Sequence, residues 1–72
     1  MALDKTAPPR FLVGIPLGES HLRAKHHVTV VSVKPEGKGE CSYADAATTL
    51  RYGDQILVVG RHRDIDRFVD QI

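Results

Sequence analysis

Tryptophan is missing from this chain of 72 residues, which has only two phenylalanines, two tyrosines and one cysteine, Cys41. So few aromatics leave no platform on which successive bases can stack, the device that single-strand binders use. One cysteine cannot close an internal disulfide, and no set of Cys and His has the spacing of a structural zinc site. A lone thiol with no secretory signal predicts a reducing, cytoplasmic setting. No apolar run approaches the length of a membrane span, so no direct membrane insertion is expected, although a soluble piece can still serve a membrane protein. A strong charge of one sign is missing too: the formal net charge is +1. Global electrostatics therefore give no argument for a polyanionic partner, and with no recognition motif present no nucleic acid is expected.

What is present is a small domain, read as a single unit over residues 1–72. A chain of this size buries a limited core, and with disulfide and zinc excluded, oligomerisation or attachment to a larger chain is the remaining common support. Met1–Thr6 reads as an edge strand or a disordered tail. Pro8-Pro9 holds the chain extended, and Phe11-Leu12-Val13 ends at Gly14. Pro16 suits a first helical turn, and the spacing predicts one short helix over Leu17–His26, with Glu19 early and Arg23 and Lys25 late, as the helix dipole favours. Val28–Lys34 is almost entirely β-branched and predicts a strand. Strict alternation would put Val28 and Val30 on one face and Val31 and Val33 on the other. Gly37-Lys38-Gly39 turns the chain towards a return strand over Glu40–Ala44, a hairpin. Tyr52-Gly53-Asp54 is a turn, and Gln55–Val59 is a second strand, stopped by Gly60. Ile65, Phe68, Val69 and Ile72 recur at i, i+3, i+4 and i+7, one helical face, with Asp64, Asp66 and Asp70 away from it.

The predicted order is strand, helix, strand, strand, strand, helix. That is an α+β domain: a small, mostly antiparallel sheet with two short helices against it. Both central strands are apolar on both faces, where such a sheet ordinarily wets one. Two short helices cover little area, so a second copy of the chain is expected to cover the other side, as a homodimer.

Catalytic apparatus is not in view. Ser20 and His21 are helix neighbours that do not face one another, and Cys41 lies near no predicted base. Glu36 and Glu40 flank a turn, and the three aspartates of the last helix form its outer face. His21 and His26 are five apart, outside the i, i+3 or i, i+4 spacing of helical metal pairs, and read as surface histidines. Gly37-Lys38-Gly39 lacks the strand–loop–helix setting of a phosphate loop. Asp54 reads as a turn residue satisfying local backbone N–H groups. No catalytic and no metal-binding residues are assigned. Physical reasoning thus reaches a binding or regulatory module with a basic stretch over residues 21 to 38, where Arg23, Lys25, Lys34 and Lys38 gather.

The order of the pieces resembles the TrkA-C domain, also called the RCK C-terminal domain. The matching residues are Gly14-x-x-Leu17-Gly-Glu-Ser, then Leu22-Arg23-Ala-Lys25-His-His-Val28-Thr-Val-Val31-Ser-Val-Lys34, then Leu50-x-x-Gly53-Asp54-Gln-Ile-Leu-Val-Val59-Gly60, followed by the helix ending in Phe68. His26-His27 stands where the family usually has an aromatic and a Gly. Ala44-Asp45-Ala46-Ala47-Thr48-Thr49 replaces an approach to Leu50 that commonly contains Pro. The resemblance implies a non-enzymatic, cytosolic regulatory part of a potassium channel, transporter or antiporter, working as a homodimer and reached through an RCK N-terminal domain. The abrupt start suggests a domain excised from such a parent. Some members bind cyclic di-AMP at the dimer interface and require no other cofactor. Carried over, the resemblance implies ligand contacts at Leu22, Arg23, Val28 and Thr29, with Ala44 and Asp45 from the connection.

Overall fold

The two β-branched runs build the centre of the sheet, as their composition predicts. In the computed structural model, which describes residues 1–70, β2 (Val28–Lys34) and β4 (Gln55–Gly60) pair antiparallel. β1 (Ala2–Thr6) lies along the outer side of β4, with Leu3 opposite Val59 and Lys5 opposite Leu57. β3 (Ser42–Tyr43) pairs with the other side of β2 through Ser32 and Val33. The sheet is four-stranded and antiparallel, in the order β1-β4-β2-β3. The α+β class holds, and the N-terminal segment is an edge strand and not a tail.

The return strand expected over Glu40–Ala44 contracts to two residues. Ser42 and Tyr43 pair with Val33 and Ser32, and beyond them only the Ala44 N–H, donating to the Val31 carbonyl at 3.0 Å, extends the ladder. The facing of β2 also differs from strict alternation. A β-bulge between Val30 and Ser32 makes Val31 an extra residue and shifts the phase of the strand. Val33 therefore returns to the face of Val28 and Val30, and all three are buried with Ile56 and Val58. On the opposite face Leu57 and Val59 are half-buried, and Leu3 beside Val59 is 64% exposed. The double-sided greasiness of β4 is thus one deep face and one partly open face.

Among the described residues three helices form, not two. The single helix expected over Leu17–His26 breaks at His21 into α1 (Leu17–Ser20) and α2 (Leu22–His26). His21 adopts the left-handed conformation, with φ 52°. The cause is non-local. The Leu17 and Gly18 N–H groups donate to the Thr48 and Ala46 carbonyls, both at 2.9 Å, which ties α1 to the connection before Leu50. The chain must then turn to set α2 over the core. α3 (His62–Val69) presents Ile65 and Phe68 to the sheet, with Val69 packed beside them. Ile72, the last member of the predicted stripe, lies outside the described residues. Leu12, Leu22 and Leu50 complete the core, and fully burying each such side chain contributes roughly 1.5–3 kcal/mol.

Asp64 departs from its predicted outer position. It is 7% exposed at the start of α3, while Asp66 and Asp70 are exposed as expected. A first-turn acid beside unpaired backbone N–H groups is favoured there even when it is covered. His26 is only half-buried and not a free surface residue. Its ring stacks on Phe11 at 4.8 Å and meets Phe68 edge-on at 6.3 Å, joining the end of α2 to α3.

A candidate ligand pocket at the helix joint

The break at His21 and the shortness of β3 together open a cavity. β3 pairs only with Ser32 and Val33, so the first residues of β2 have β4 on one side and no strand of the described residues on the other. α1, α2 and the connection after β3 stand around this free edge. The space they enclose is about 450 Å³. Leu17, Gly18, His21, Leu22, Arg23 and Ala24 line it from the helices, Val28, Thr29 and Val30 from β2, and Ala44, Asp45 and Ala46 from the connection.

All six residues singled out from the sequence line this cavity. Leu22 and Val28 are buried members of the core and form its floor. Thr29 and Ala44 are half-buried, and Arg23 and Asp45 are exposed at its mouth. No described residue accepts a hydrogen bond from the Arg23 guanidinium. That leaves a planar five-donor group beside an apolar wall, a suitable pair for a phosphate and a flat apolar ring.

Asp45 has a different part. Its Oδ1 accepts from the Ala47 N–H at 2.9 Å and from the Thr48 hydroxyl at 3.1 Å, and the Thr48 Oγ1 accepts from the Asp45 N–H at 3.0 Å. This local turn presents the Ala46 and Thr48 carbonyls to α1. Asp45 therefore builds the wall. Gly18 fits against that wall closely, since a Cβ there would stand 2.9 Å from the Ala46 Cβ.

Sequence reasoning missed His21, Gly18 and Ala46 as lining residues. The sequence offers His21 as a base beside Ser20 and as half of a metal pair, and neither spacing test says anything about a left-handed joint. Among the described residues no group of three His, Cys, Asp or Glu is placed to hold a metal ion. None of the described helices is long and apolar enough to cross a membrane.

A second cavity, of about 480 Å³, lies at the hairpin end, lined by Val33, Pro35, Glu36, Lys38, Thr49, Arg51, Tyr52 and Asp54. Asp54 is buried there, with Oδ1 accepting from the Glu36 N–H at 3.2 Å and Oδ2 from the Arg51 N–H at 3.0 Å. This is the predicted turn role, extended to clamp the β2 hairpin to the turn before β4.

The sequence matches the TrkA-C domain over residues 5–72. The chain belongs to the TrkA-C family. No curated protein sequence matches it significantly. Among solved structures, this TrkA-C domain superposes on the RCK C domain of the potassium transport protein KtrA in complex with cyclic di-AMP, with a TM-score of 0.82, 21% identity, and coverage of 99% of this chain and 82% of that one. The RCK_C domain dimer of S. agalactiae BusR in complex with cyclic di-AMP matches with a TM-score of 0.75 and 19% identity, over 99% of this chain and 89% of that one. BusR has also been solved in complex with its busAB-promotor DNA, where the chain spans 35% of that protein's length at a TM-score of 0.74 and 19% identity. The GsuK channel bound to NAD matches with a TM-score of 0.82 and 17% identity, over 97% of this TrkA-C domain but only 13% of the channel chain. At these identities the likeness establishes the RCK C fold.

Proposed function

We propose that this TrkA-C domain is the ligand-sensing regulatory module of a potassium or other cation transport system, and that it works as a cytosolic homodimer. Its ligand is cyclic di-AMP, held in the pocket at the helix joint, with no further cofactor required. The observation that carries this reading is the convergence of Leu22, Arg23, Val28, Thr29, Ala44 and Asp45 on one cavity. Arg23 meets a ligand phosphate bidentately. Leu22 and Val28 take the adenine face, and the free edge of β2 offers backbone donors and acceptors to the base. A two-fold symmetric ligand suits an isologous interface, in which each protomer contributes the same residues.

Regulation follows if the ligand binds one dimer arrangement more tightly than another, since only differential affinity shifts the balance. The shift then passes to a channel or transporter subunit through an RCK N-terminal domain. The reading assigns no catalytic step and no nucleic-acid partner. Calorimetry with cyclic di-AMP on a dimer verified by sedimentation tests it. Saturable binding that Arg23→Ala weakens at least tenfold supports it, and a verified dimer that binds nothing removes the ligand. In that case the runner-up stands: a dimerising, signal-transmitting module with no ligand of its own. The partly open sheet face bearing Leu3, Leu57 and Val59 favours that second reading.

A further inference from the structure

α2 carries both Leu22 of the pocket floor and Arg23 of its mouth, so whatever aims α2 aims the site. Its start is tied down by Leu22 in the core. Its end is tied down by rings. The His26 ring stacks on Phe11, with centroids 4.8 Å apart and planes 27° apart, and meets Phe68 edge-on at 6.3 Å. Phe11 and Phe68 meet edge-on in turn, at 6.1 Å and 89°, which closes a cluster of three rings. All three separations lie in the range of favourable aromatic pairs, roughly 4.5–7 Å.

The rings come from three places: Phe11 from the segment before α1, His26 from the last position of α2, and Phe68 from α3, where it is fully buried. None of them lines the pocket. We propose that Phe11 and His26 are positioning residues of the pocket, whose stack, seated on Phe68, holds α2 in the pose that delivers Arg23 to a ligand phosphate. The inference rests on the reading of the pocket as a cyclic di-AMP site. Arg23 and His26 are three apart, so they are neighbours on the surface of one helical turn, and fixing one ring fixes the rotation of that turn. Two backbone bonds close the turn, from the Lys25 N–H to the His21 carbonyl at 2.9 Å and from the His27 N–H to the Arg23 carbonyl at 3.2 Å. Without the stack these are its main restraint at that end, and a ligand must order the turn as it binds. Apparent affinity then falls by the fraction of molecules in which the turn is in place.

Calorimetry of the full chain with cyclic di-AMP tests this, with the melting temperature of each variant measured beside it. Phe11→Ala and His26→Ala should each weaken binding roughly threefold to tenfold, the factor to which one lost aromatic pair corresponds. Phe11→Leu keeps apolar bulk without the ring; it should weaken binding in the same direction and guards against a folding defect in Phe11→Ala. The double alanine variant should do little more than either single one, because both break the same contact. His26→Phe keeps a flat ring and should bind as the unaltered chain does. Ile56→Val trims the core at the end of β4 away from the pocket; it should lower the melting temperature and leave the affinity unchanged. In an Arg23→Ala background, Phe11→Ala should cost little further affinity, since the group it positions is gone. A merely structural role for the stack would lower the melting temperature of the Phe11 and His26 variants and leave their affinity intact. That result overturns the proposal, as does a loss that His26→Phe fails to restore or that persists in full without Arg23. In each of these cases the ligand reading stands. An unaltered chain that binds nothing overturns both.

Discussion

Two cavities of similar volume sit at opposite ends of β2, and they are built on opposite plans. At the hairpin end the buried charge is spent on the fold. Both Asp54 oxygens accept backbone N–H groups, one from Glu36 and one from Arg51, so two turns are locked by one side chain. At the helix joint the charge faces outward. Arg23 and His21 reach the pocket over an apolar floor, and no described residue accepts a hydrogen bond from the guanidinium. The contrast separates scaffold from site more sharply than cavity size does. A polar group satisfied within the chain holds the fold together, while one left without an internal partner beside an apolar surface is available to something else.

Substitutions break this contrast in a graded way. The largest effect belongs to Asp54→Ala, which strips two part-buried backbone N–H groups of their acceptor and should destabilise the domain by about 2–3 kcal/mol. Urea unfolding measures it, and a loss well under 1 kcal/mol would refute the clamp. Gly18→Ala comes next. The new methyl group collides with Ala46, so α1 or the connection must move, at roughly 1–2 kcal/mol, and cyclic di-AMP binding should weaken in parallel. His27→Gly should act in the opposite direction. His27 caps α2 at φ 60°, so a glycine relieves strain and raises stability by about 1 kcal/mol, read as a higher melting temperature. Arg23→Ala should change stability least, within about 0.5 kcal/mol, because it is an exposed side chain, while cyclic di-AMP binding by the proposed pocket should fall at least tenfold. An Arg23→Ala variant that unfolded easily would place Arg23 with the scaffold and erase the distinction.

The sequence was most legible where local pattern and tertiary role agree. Val28–Lys34 and Gln55–Gly60 have β-branched density that only a strand uses well, and the Ile65, Phe68, Val69 stripe names one helical face. It was least legible where distant contacts decide. Nothing in Leu17–His26 announces a break at His21, because the partners that impose it are carbonyls of Ala46 and Thr48, far along the chain. The bulge at Val31 was invisible for a related reason. Period-two counting assumes that no residue is extra, and whether one is depends on the register with β4. Asp64 was read as solvated from its place on the helix wheel, and its covering depends on how α3 meets the rest of the chain. The six pocket residues came from family resemblance and not from spacing, since they lie on three separate segments. His21 is exposed, as its surface reading expects, and only its left-handed backbone escapes a reading by spacing.

α1 has four residues and α2 five, far below the length at which a helix holds itself together in water. Their order is borrowed from backbone bonds to the connection and from Leu22 in the core. The wall of the pocket is therefore the part of the domain with the least stability of its own, and local opening should begin there. In deuterium exchange, the Leu17 and Gly18 amides should be replaced well before those at the centre of β2 and β4. A seated ligand should slow them selectively. The domain would then register its ligand first as a change in the lifetime of one short wall, with the sheet beneath it unchanged.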